Sequence, residues 1–158
     1  ENYHSDIISA MESILKQSKK ICYVCVNDPY SFVSSSFQKS NLSMEKIFFI
    51  DTITRKVQAP ESSANCNFVS APNALTEISL AFSKAVTEQH CDCTFFDSLS
   101  AMMIYENPHS IVQFIHNLLT KLRISGGKAF FVLSKDDFSS DLVKDLSMFV
   151  DKSIEFAQ

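Results

Sequence analysis

Residues 92–100 read Asp92-Cys93-Thr94-Phe95-Phe96-Asp97-Ser98-Leu99-Ser100, an apolar run that stops at an aspartate and continues in small hydroxyl residues. A short apolar run bounded by polar residues, with β-branched and aromatic side chains inside it, is the pattern of a strand buried on both faces. Similar runs recur at Lys20–Val26, Lys46–Asp51, Asn67–Ser70 and Ala129–Leu133, and a closing strand is expected at Ser153–Phe156.

Between these runs the period changes from two to that of a helix. Ile7, Ile8, Met11, Ile14 and Leu15 mark an opening amphipathic helix. Asn27-Asp28-Pro29 breaks the chain into a turn, and Ser31–Ser40 follows as a helix with Phe32, Val33 and Phe37 inward. Residues 54–65 are polar, contain Pro60, and read as a surface loop. Pro72-Asn73 opens a helix carrying Leu75, Ile78, Phe82, Ala85 and Val86, with Glu77 in its first turn, where the helix dipole favours an anion. Asn107-Pro108 supplies a cap and a first helical residue for a helix burying Ile111, Phe114, Ile115, Leu118 and Leu122, which Gly126-Gly127 ends. A last helix falls at Leu142–Phe149. Alternating strands and helices predict an α/β fold of three layers, a mostly parallel sheet with helices on both faces, in one domain over residues 1–158. A strand is expected to precede the opening helix and is missing from these residues.

The 158 residues, 46% of them hydrophobic, suffice for one packed core and are too apolar for disorder. The net charge of −4 and the absence of a basic cluster longer than Lys16–Lys20 or Lys121–Arg123 argue against a phosphate-backbone groove, so nucleic acid is not an expected partner. No apolar run reaches membrane-spanning length and no secretory leader stands at the start, which predicts a cytoplasmic protein without a membrane partner.

Five cysteines, an odd number, fit a reducing compartment. Cys22 and Cys25 lie three apart on a strand and therefore point to opposite faces, unlike a redox or zinc pair. Cys91 and Cys93 could share a face but have no further ligand at zinc-finger spacing, and His4, His90, His109 and His116 are scattered. These thiols are expected to be buried and structural.

Four segments carry a resemblance to a known family. Cys22-Tyr23-Val24-Cys25-Val26-Asn27-Asp28-Pro29, Phe95-Phe96-Asp97-Ser98-Leu99-Ser100, Lys128–Ser134 and Asp151-Lys152-Ser153-Ile154-Glu155-Phe156 resemble, in order and spacing, strands of the KaiC-like branch of the RecA-type ATPases. The closest likeness is to archaeal members that keep the fold without its phosphate loop and have no assigned function. The resemblance covers nearly the whole chain and implies a degenerate RecA-like P-loop NTPase fold. It places Asp97 where the family's Walker B aspartate holds magnesium through water.

The departures shape the expected function. The only glycines are Gly126 and Gly127, and no Gly-x-x-x-x-Gly-Lys-Ser/Thr loop exists to cradle phosphates. Ahead of the first helix stands Glu1-Asn2-Tyr3-His4-Ser5-Asp6, whose carboxylates repel phosphate. Where active relatives carry a catalytic glutamate, this chain has Asn27, which cannot act as a base; Asp28 beside it is expected to point elsewhere. No residue is therefore assigned a catalytic role. The candidates for cofactor contact are Asp97, Ser98, Asn27, Asp28 and Ser134, with Asp97 the candidate cation ligand. The alternative for Asp97 is a strand-end carboxylate that accepts the amides of the next turn, and Ser98, Ser100 and Asp51 read as turn or cap residues. The expectation is a non-catalytic binding or regulatory module that uses no cofactor and associates with itself or with a related ATPase, Ala101–Tyr105 being one stretch that could meet a neighbour. The alternative is an ATPase using ATP and magnesium, its phosphate site divergent or completed from elsewhere.

Overall fold

The computed structural model describes residues 2–137 and 140–154. Five strands form one sheet: β1 (Ile21–Cys25), β2 (Ile47–Asp51), β3 (Cys66–Phe68), β4 (Cys93–Asp97) and β5 (Lys128–Phe131). All pairings between them are parallel and the order across the sheet is β3-β2-β1-β4-β5. Among the described residues six α-helices connect or flank the strands: α1 (Asn2–Leu15), α2 (Tyr30–Lys39), α3 (Leu75–Thr87), the single turn α4 (Leu99–Met102), α5 (Pro108–Ser125) and α6 (Asp141–Ser147).

The strand alternation sorts side chains into two cores. Ile21, Tyr23 and Cys25 of β1 face α1 and α2, packing with Met11, Val33, Phe37, Phe49 and Phe95. Cys22 and Val24 face the other way, toward α3, α5 and α6, among Ile78, Phe82, Phe96, Ile115 and Leu142. This is the expected three-layer α/β architecture. The three central strands are buried at every residue because helices cover both faces, which is why they read as unbroken apolar runs.

Helix ends follow local chemistry. The Asn107 side chain accepts from the Ser110 amide at 3.0 Å, with Pro108 as the first helical residue of α5. Gly126 ends α5 in the left-handed region at φ 71°. Glu77 accepts from both the amide and the hydroxyl of Ser70, which ties the start of α3 to the end of β3 and holds its carboxyl below the usual range.

Several expectations need correction. Phe32 does not point inward; it is half exposed, since α2 turns Val33 and Phe37 to the sheet. Cys91 and Cys93 fall in opposite cores, because Cys91 precedes the strand and does not follow its alternation. Residues 153 and 154 form no strand, and residues 155 and 156 lie outside the described residues. All five thiols are buried and free.

Candidate functional site

The chain leaves β1 for β2 and β3 on one side, then crosses over to β4 and β5 on the other. The order therefore reverses between β1 and β4, and in open α/β sheets ligands enter at the carboxyl ends of the two strands that flank such a reversal. Asp97 ends β4 at that point. The register places it level with Cys25 of β1, and Cys25 level with Asp51 of β2, so Asp51, Cys25 and Asp97 form a row on the face toward α1 and α2.

The two carboxylates in this row have different surroundings. Asp51 is saturated: it accepts from the amides of Ile53 (2.7 Å), Thr54 (2.8 Å) and Tyr30 (2.7 Å) and from the Thr54 hydroxyl (2.6 Å). Those bonds fold the turn after β2 and fasten the start of α2, as expected of a turn residue. Asp97, 3% exposed, takes no amide of the next turn. One of its oxygens accepts from the Tyr3 hydroxyl and the other from the Tyr23 hydroxyl. This corrects the turn-amide alternative. The hydroxyl of Ser98 caps α4 instead, accepting from the Ala101 amide at 3.2 Å, and the Asp97–Ser98 peptide is cis.

Burial pushes the Asp97 carboxyl up to about 7 and holds the Tyr23 phenol well above its usual range, so Tyr23 remains a donor. The Cys25 thiol between the two carboxylates is also pushed up, by burial first and by the nearby Asp51 charge second.

The remaining candidates gather near this strand end without forming a set that grips a ligand. The Val26 amide (2.8 Å) and the Asn27 amide (3.3 Å) donate to the Asp97 carbonyl, while the exposed Asn27 side chain reaches only Asp28, at 3.4 Å. Asp28 does not point away as expected: it lines the same small cavity as Asp97, Tyr23, His4 and Phe32. That cavity has about 10 Å³, at the lower limit for one water molecule. Ser134 is exposed and lies one strand further out, its amide bonded to the Ser100 hydroxyl at 2.7 Å.

Both oxygens of the Asp97 carboxylate accept from phenols, and His4, Ile7 and Ile8 of α1 line the small cavity beside it. Among the described residues, no three His, Cys, Asp or Glu side chains converge to hold a metal ion. A larger cavity, of about 430 Å³, lies away from Asp97 beside β3, between Phe48, Cys66, Asn67, Arg55 and Lys84.

Tyr3 and Tyr23 were not among the sequence candidates. Tyr23 carried a usable signal, because it stands two residues before the end of β1 and so shares a face with Cys25. Tyr3 lies 94 residues from Asp97 and stands one helical turn ahead of Ile7, the first buried residue of α1. That places it on the inward stripe, but its partner is visible only once the helix has a position.

Among the described residues no helix is long and apolar enough to cross a membrane. No curated protein matches the sequence. Residues 24–156 match a family of unknown function (DUF7504), a span that takes in β2 to β5, Asp51, Asp97 and α6 and begins just after Tyr23. The chain belongs to this family, DUF7504.

Proposed function

We propose that this chain is a non-catalytic binding or regulatory module of RecA/KaiC-like type that acts by associating with another protein, either a second copy or a related ATPase. The observation that carries the reading is the pair of phenols on Asp97. A carboxylate whose two oxygens each accept from a phenol, Tyr3 and Tyr23, fits a structural tie between α1, β1 and β4. The lack of a Gly-x-x-x-x-Gly-Lys-Ser/Thr motif in these residues supports the same reading. Association would use the surface. Ile104 in the 101–105 stretch is 78% exposed, and Tyr105 beside it lies 4.0 Å beneath the Lys56 ammonium. Fold analogy adds modest support, because a scaffold hosts many functions.

A second reading, an ATPase whose phosphate site is divergent or completed by a partner, draws on the position of Asp97 at the strand-order reversal. Calorimetric titration with ATP and magnesium separates the two. The module gives no heat of binding. Saturable heat that Asp97→Ala abolishes would favour the ATPase.

A further inference from the structure

We propose that the larger cavity, beside β3, is a binding site for a free α-amino acid with an apolar side chain. Its volume of about 430 Å³ falls within the range of small-molecule sites, about 300–1,000 Å³. Three parts of the fold wall it: the β3 edge of the sheet, the connection from β2 to β3, and the C-terminal end of α3. These walls are fastened from behind. The Asn65 carbonyl accepts the Phe49 amide at 2.8 Å, the Ser63 carbonyl accepts the Cys66 amide at 3.4 Å, and the Ser63 and Tyr30 hydroxyls meet at 3.4 Å. Ile78, Phe82 and Ala85 anchor α3 in the core, and the Gln89 side chain just beyond its end accepts from the Lys20 ammonium at 3.0 Å.

The lining chemistry selects the ligand. Phe48 and Pro60 supply apolar surface, and Asn67 shares the α3 side of the sheet with Phe48, since its register partner is Ile50. The charged lining residues are two cations, Arg55 and Lys84, and two carboxylates, Glu61 and Glu88. All four are exposed, and among the described residues none of their side chains makes an ion pair or a hydrogen bond. Lys84 and Glu88 stand one helical turn apart without pairing; lysine first is the weaker orientation for such a pair. Glu77, close enough to feel the Arg55 charge, has its oxygens taken by Ser70. A plain anion entering the cavity gains two cations but meets two carboxylates, and a plain cation meets the reverse. A zwitterion satisfies both signs at once, its carboxylate toward Arg55 and Lys84, its ammonium toward Glu61 and Glu88, and its side chain over Phe48 and Pro60. The guanidinium fork matches both oxygens of a carboxylate. The Asn67 side chain, which has no hydrogen bond among the described residues, offers a donor and an acceptor. None of these residues takes part in the association proposed above, and the site stands without it.

Titration of the isotope-labelled chain with L-phenylalanine and with L-leucine, followed by NMR, tests the site. Saturable shifts are expected at the amides around the cavity, residues 61–67 and 84–89, with half-saturation below about 1 mM. Phenylpropanoate keeps the ring and the carboxylate, and phenethylamine keeps the ring and the ammonium. Each is expected to bind at least about tenfold more weakly than L-phenylalanine. Arg55→Ala and Glu88→Ala alter exposed side chains, so the fold is kept, and each is expected to weaken L-phenylalanine by about fivefold or more. The proposal is overturned by the absence of saturable shifts with both amino acids up to about 10 mM, by shifts centred elsewhere, by either half-ligand binding as well as L-phenylalanine, or by unchanged affinity in either variant. None of these outcomes alters the ATP titration, so the site and the module are tested separately.

Discussion

Near neutral pH Asp97 stands close to its own midpoint, so its charge changes within the range where stability is measured. Its carboxyl is raised from 3.8 to about 7 in the folded chain, whereas in the unfolded chain it titrates near the ordinary value of about 3.9. Between those limits the native state holds a proton that the unfolded state has released. The stability contributed by this group is therefore complete below about pH 4 and is lost as pH rises through about 7. From pH 5 to pH 8 the loss is about 2.5 kcal/mol. Urea unfolding of the unaltered chain and of Asp97→Asn at both values measures it. The variant is expected to lack this component, and parallel profiles for the two proteins would show that the carboxyl is not perturbed. Tyr23→Phe leaves the buried carboxyl with one donor fewer, at an expected cost of about 1–3 kcal/mol. Because a donor favours the anion, the cost is greater at pH 8 than at pH 5.

At the scale of elements, the boundary between α5 and β5 rests on a backbone conformation. Gly126 has φ 71° and nothing within 4 Å of the position a Cβ would take, so Gly126→Ala meets no clash and costs only the conformational preference, about 1 kcal/mol. Gly127→Ala places a Cβ 2.7 Å from the Leu122 side chain and 3.3 Å from the Asp92 carbonyl, and is expected to cost more. Thermal unfolding of the two variants gives the order. Such boundaries were readable in advance: Asn107-Pro108 and Gly126-Gly127 act through bonds to near neighbours in the chain, and the central strands are long enough for their apolar pattern to stand out. Phe32 misled because apolar residues outnumber the places on the inward face of α2. Cys91 misled because parity rules apply only inside a strand. The candidate site was legible as a position, the end of β4, and not as a chemistry. What Asp97 does is decided by Tyr3 and Tyr23, which reach it through the packing of α1 on the sheet and through strand register.

Across the whole molecule, protection should follow the order of the sheet. β1 lies between β2 and β4 with both ladders satisfied and helices on both faces, whereas β5 is an edge strand and none of its residues is fully buried. Native-state hydrogen exchange is expected to be slowest in β1 and its two neighbours and fastest among the strands at β3 and β5. A β5 protected as strongly as β1 would mean that something covers its free side in solution. The five cysteines extend this picture in a practical direction. Every thiol is enclosed, and burial raises Cys91 and Cys93 to about 12 and about 11, so almost no thiolate exists to react in the native state. A thiol-reactive dye therefore stays silent on the intact protein, and its labelling rate becomes a clock for unfolding. Once unfolded in air, the same five sulfurs can cross-link at random, so recovery of the protein from denaturant should depend on a reducing agent that the folded form can do without.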